Sequence, residues 1–235
     1  MASINKTVFY VILFSIAMGF MESAVVIYLR EIFYPRGFAF PLVTIPGRLA
    51  LVEVLREAAT LIMLMIAGIL AGTNKVQRFN FFCLAFAVWD LVYYLFLYLF
   101  LGWPQSLFTW DILFLIPVPW VGPVWAPCLI SVLMLCSSLT VIFLSDFRKH
   151  YVFNKWDFLL LLTGALTCIL SLVLDYLLAI RSSSQSSAFS KAPLFSDIDH
   201  YVPQHFHYTV FFCGFAMLCA GVLHNILITN KNQRR

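Results

Sequence analysis

The chain has 235 residues and a formal net charge of +4; 62% of it is hydrophobic and 11% is charged. With a mean hydropathy of +0.91, this balance excludes an ordinary soluble domain and implies a polytopic membrane protein. Apolar runs long enough to span a bilayer fall at about 7–29, 49–72, 79–101, 122–145, 156–180 and 207–229. They predict an all-α transmembrane helical bundle of six spans, forming one integral membrane domain over 1–235.

The first run follows Lys6 and has an apolar core too long for a signal sequence, with no A-x-A site behind it, so it reads as an uncleaved first helix. It carries Glu22 and, eight residues later, Arg30, with Glu31 and Tyr34 at its end. Arg30 and, in the loop that follows, Arg36 and Arg48 either contact lipid headgroups or attract an anionic group such as a phosphate.

The second run opens with LVEVLREAATLIML. At the centre of a span each ionisable residue costs roughly 2.5–3.5 kcal/mol, so Glu53, Arg56 and Glu57 need compensation. Their spacing of three and four puts them on one helix face, which must turn into the bundle or toward a wet cavity. In the third run, VWDLVYY sets Asp90 one turn from Tyr93 and Tyr94, whose hydroxyls reach the carboxylate or a shared ligand.

Between the third and fourth runs, SLFTWDILFLIPVPWVGP is apolar but broken by Pro117, Pro119 and Pro123. It reads as an interfacial or re-entrant half-helix over about 106–121, rich in tryptophan, that either anchors at the membrane interface or covers a cavity with Asp111 at its edge. The fifth run holds Asp175. The loop after it, about 181–206, starts Ser-rich and flexible and ends with Asp197, Asp199, His200, His205 and His207. His205 and His207 are weak metal-ligand candidates, because HxH with scattered aspartates has no recognised ligand spacing. His224 in the sixth run reads as a packed histidine bonded to a neighbouring helix. The six cysteines lie within the runs as small apolar residues.

Lys6, Lys75, Arg78, Arg148, Lys149, Lys155, Lys231, Arg234 and Arg235 fall on one side of this topology, against Arg30, Arg36, Arg48, Arg181 and Lys191 on the other. The positive-inside rule then places both termini in the cytoplasm and the odd-numbered loops outside, consistent with the plasma (inner) membrane of a prokaryote. The positive net charge thus follows from topology and does not indicate nucleic-acid binding. At 1.5 Å per residue, Glu53 and Asp175 lie roughly 7–8 Å below the outer interface, Glu22 roughly 11 Å, Glu57 roughly 13 Å and Asp90 roughly 16 Å. Four helices therefore direct acids toward one level.

Two readings of these acids follow. They are interhelical ion pairs, such as Glu22 or Glu53 with Arg56, that fix packing; or they line an outward-opening polar cavity, because the acids outnumber the arginines. In the second reading Glu22, Glu53, Glu57 and Asp90 are catalytic candidates, and Arg56, Tyr94, Arg30, Arg48 and Asp175 bind substrate. GFMESAVVIY, LVEVLREAAT and VWDLVYY loosely resemble the emopamil-binding family, which includes sterol isomerases, although Met18 stands where those isomerases have a histidine. The resemblance implies an intramembrane acid–base site acting on an apolar lipid.

No Walker loop, GxGxxG, HExxH or GxSxG motif occurs, so no cofactor is specified. The functions left open are an enzyme or binder for a membrane lipid or isoprenoid, a non-catalytic subunit or assembly factor beside membrane-protein partners, and a proton, cation or small-solute transporter.

Overall fold

The computed structural model describes residues 2–147, 154–183 and 201–231. Among these residues there are six long helices: α1 Ala2–Phe33, α2 Gly47–Ala71, α3 Lys75–Leu101, α4 Trp125–Phe147, α5 Lys155–Ser183 and α6 Tyr208–Lys231. All six are long and apolar enough to cross a membrane, so the chain is an integral membrane protein built as a helical bundle.

Helix α3 is the hub, with α1, α2 and α4 each lying along it, while α5 and α6 form a separate close pair. Asn74 starts α3 by accepting a hydrogen bond from Gln77 N at 3.0 Å. Gly102 ends it in the left-handed region, φ 61°. Close approach within the α5–α6 pair depends on Gly164 and Gly214, since a Cβ at Gly214 would lie 2.8 Å from Gly164 O. Small residues at such crossings let membrane helices gain van der Waals contact that lipid cannot supply.

The segment expected as a half-helix is an antiparallel β-hairpin, β1 Trp110–Phe114 and β2 Trp120–Pro123, with Asp111 opposite Gly122 and Ile112 opposite Val121. The prolines explain the difference: Pro117 and Pro119 lack the N–H donors that a helical turn needs, and they fall in the connection, where neither strand loses a bond. The fourth helix consequently starts at Trp125 and not near 122, because 120–123 pairs with β1. The hairpin joins the two parts of the bundle. Its β2 strand packs on α5, where a Cβ at Gly122 would meet Leu172 Cδ2 at 2.7 Å.

An apolar plug fills the middle of the α1–α4 part, formed by the buried Val8, Val11, Leu64, Phe81, Leu84 and Val88. Beyond it, toward the end where α1 finishes and α2 begins, the packing opens.

Candidate functional site

At that end α1, α2, α3 and β1 enclose a cavity of about 610 Å³, within the range that holds small ligands. Most of its lining is apolar or aromatic, and into it project Glu22 and Arg30 from α1, Glu53, Arg56 and Glu57 from α2, Asp90, Tyr93 and Tyr94 from α3, and Asp111 from β1. The one-face spacing on α2 is what delivers its three charges together.

Two charged clusters result. Arg56 donates to Glu53 Oε2 from Nε at 3.0 Å and from Nη2 at 2.8 Å, while its Nη1 pairs with Glu22 Oε1. Glu22 Oε2 also accepts from Thr60 Oγ1 at 2.9 Å. In the second cluster, Arg30 Nη2 donates to Asp111 Oδ1 at 3.0 Å, and Tyr94 OH donates to Asp111 Oδ2 at 3.3 Å. The Arg30 guanidinium lies over Trp103, 3.6 Å from the ring centroid, and over Phe38 at 4.3 Å; such stacking stabilises a desolvated cation. Burial pushes the Asp111 carboxyl above its ordinary value, and the nearby Arg30 charge opposes that shift.

Among the described residues, two acids lining the cavity form no ion pair with an arginine. Glu57 Oε2 accepts from the backbone N–H of Leu115, the residue after β1, at 2.8 Å. Asp90 Oδ2 accepts from Ser131 Oγ of α4 at 2.8 Å. A carboxylate in a low-dielectric setting needs a cation, donors or a proton, and a hydrogen bond supplies part of that need.

Ion pairing with arginine therefore accounts for some of these acids and not for others. Glu22 and Glu53 are ion-paired with Arg56; Glu57 and Asp90 are not paired with arginine. Glu22, Glu53, Glu57, Asp90, Arg56, Arg30 and Tyr94 come together as expected. Asp175 does not join them. It accepts from Tyr201 OH at 2.5 Å, Gln204 N at 3.1 Å and His205 N at 3.2 Å, because α5 packs on α6 and β2 and not on α3. Burial and this bond to Asp175 push the Tyr201 phenol above its ordinary value. Arg48, in the first turn of α2, is exposed and away from the lining.

His205 is exposed and His207 half-buried; among the described residues no group of three His, Cys, Asp or Glu could hold a metal ion. Asp197, Asp199 and His200 lie outside the described residues, as does most of the loop expected to be flexible; its final part is packed, with Tyr201 and Phe206 buried. His224 bonds a neighbouring helix as expected, its Nδ1 lying 2.5 Å from Asp157 Oδ1. Its ring is nevertheless half exposed. Asn225 Nδ2 donates to Asp157 Oδ2 at 2.8 Å.

The sequence placed Asp111 at the margin, and the structure puts it 2% exposed at the centre of the Arg30 cluster. The signal available was an acid inside an apolar strand-like run, which must be buried against a cation that Arg30 supplies.

Comparison with known proteins found no matching family model, no similar curated protein and no similar solved structure. The functional reading accordingly rests on the residues of this cavity.

Proposed function

We propose that the cavity binds the polar end of a membrane lipid or isoprenoid, and that this end is a neutral hydrogen-bonding group and not an anion. The observation that carries this reading is the pairing of charges: five acids and two arginines line the cavity, and both arginines are already engaged, Arg56 by Glu22 and Glu53 and Arg30 by Asp111. A phosphate or carboxylate arriving there meets guanidiniums whose charge is already matched by the protein's own carboxylates, with Arg30 Nη1 left as an unpartnered donor, and two further acids. An alcohol instead can donate to Glu57 or Asp90 and accept from the Tyr93 hydroxyl, set among apolar and aromatic walls.

If the site is catalytic, Glu57 and Asp90 are the groups that exchange protons with the substrate, since neither is committed to an arginine. Glu53 then positions Arg56 and takes no part as acid or base, and Arg56 holds the protein's own carboxylates in place of a substrate anion. The apolar plug of Leu64, Phe81 and Leu84 below the cavity favours a binding pocket over a transport path, because a continuous route needs polar groups directly below the acids. In the orientation predicted by the lysine and arginine bias, the cavity lies in the outer half of the membrane.

The test is mass spectrometry of lipid retained by the full chain after mild extraction, for the wild type and Glu57→Gln. We expect the variant to keep its melting temperature and to lose at least tenfold of the retained lipid. Equal retention in both proteins contradicts the reading.

A further inference from the structure

The cavity is closed above and below but not on one side. Below lies the plug containing Leu64, Phe81 and Leu84, each with no exposed surface. Above, the chain between α1 and α2 folds over as a roof: Phe38 packs on Trp103 with centroids 5.8 Å apart, and Phe40 reaches Tyr201 at 6.4 Å. The Tyr34 hydroxyl accepts from Val43 N at 2.9 Å. Burial raises the Tyr34 phenol above its ordinary value, so it remains a neutral hydroxyl. The hairpin completes the roof, with Leu115 held by Glu57.

The remaining side is the space between α1 and α2. Both helices pack on α3 and touch each other sparingly. Among the described residues, the polar ties between them join Glu22 to Arg56 and to Thr60. From that level to the roof, apart from Arg30 and Glu53, which are held in the two charged clusters, the lining residues of both helices include the apolar Val26, Leu29 and Phe33 from α1 and Ala50, Leu51 and Val54 from α2. Leu51 is 59% exposed, so the rim reaches the outer surface of a spanning helix. That surface is bathed by lipid chains, and an apolar rim is a low barrier for a lipid chain and a high one for a hydrated solute.

We infer that the cavity loads sideways from the bilayer through this α1–α2 cleft, and that Ala50 and Val54 set the thickness of chain that passes. The inference rests on the reading of the cavity as a lipid site and adds its route and selectivity. A straight single chain enters polar end first, and its tail stays between Leu29 and Leu51 while the polar end reaches Glu57 and Asp90.

The experiment uses the full chain in nanodiscs and a C18 alcohol carrying a photoreactive diazirine near its polar end, with labelling of Trp89 in the cavity followed by mass spectrometry over time. Ala50→Trp is expected to slow Trp89 labelling at least tenfold and Ala50→Leu by a smaller factor, with melting temperature checking that each variant is folded. Phe40→Ala, which thins the roof, is expected to leave the rate unchanged. Unaltered labelling in both folded Ala50 variants, or faster labelling in Phe40→Ala, overturns the lateral route while leaving the lipid site standing. Failure to label Trp89 in the wild type overturns both. Should Ala50→Trp not fold, the Ala50→Leu rate decides.

Discussion

The two parts of this bundle treat buried acids in opposite ways. In the α5–α6 pair, Asp157 is fully buried and its carboxylate is met by Asn225, His224 and the backbone N–H of Asn154 at 3.3 Å. Asp175 is met there by Tyr201 and two backbone donors. Neither residue lines the cavity. Around α1–α3 the acids are more numerous, part of their number is matched by arginine, and the unmatched ones, Glu57 and Asp90, face open space. An acid inside a membrane helix is therefore not by itself a site. What separates the two regions is whether local donors exhaust the carboxylate or leave it facing a cavity.

Substitutions can break or sharpen that contrast. The largest effect is expected at Arg56, whose loss leaves Glu22 and Glu53 buried without a counter-charge. Arg56→Met should cost about 3–5 kcal/mol in equilibrium unfolding, and the neutral triple variant Glu22→Gln/Glu53→Gln/Arg56→Met should recover most of it. If the single variant is as stable as wild type, the cluster is not an ion pair of structural weight.

Next comes Asp157→Ala, which removes the acceptor shared by Asn225, His224 and Asn154 N and should cost about 1–3 kcal/mol, with lipid retention unchanged. A loss of retention there would merge the two regions functionally. Tyr201→Phe removes one of three donors to Asp175 among the described residues, and about 1 kcal/mol of destabilisation is expected, read as faster hydrogen exchange at Gln204 and His205. Smallest in stability is Glu57→Gln, because the amide oxygen still accepts from Leu115 N. Its effect belongs to binding, and a large drop in melting temperature would assign Glu57 to the structural class instead.

Much of this contrast was legible in the sequence. Apolar run length gave the six helices, since a span imposes a length that few other structures need. The three-and-four spacing of Glu53, Arg56 and Glu57 gave the polar face of α2, because helix geometry is local. The convergence of Glu22, Asp90 and Tyr94 on that face came from comparing depths, which works when helices are long and nearly parallel.

Rotation about each helix axis is set by packing partners, and depth carries no such information. Asp175 lies at a suitable depth but turns to Tyr201, because its helix packs on α6 and not on α3. The hairpin was hidden for another reason. Trp110–Phe114 is a short apolar run, ambiguous between strand and helix, and the prolines that break a helix were compatible with either a half-helix or a turn. Once the hairpin forms, Asp111 is carried to Arg30, 81 residues away in sequence, a pairing that no local pattern encodes.

The central claim is that the space between α1, α2, α3 and β1 belongs to a lipid held at its polar end by Glu57 and Asp90. An experimental density map of the natively extracted full chain tests this most directly. The account predicts elongated density in that cavity, with its polar end within hydrogen-bond distance of Glu57 or Asp90 and its tail leaving between Leu29 and Leu51. A cavity collapsed by side chains, or filled by a segment of a partner protein, would contradict it.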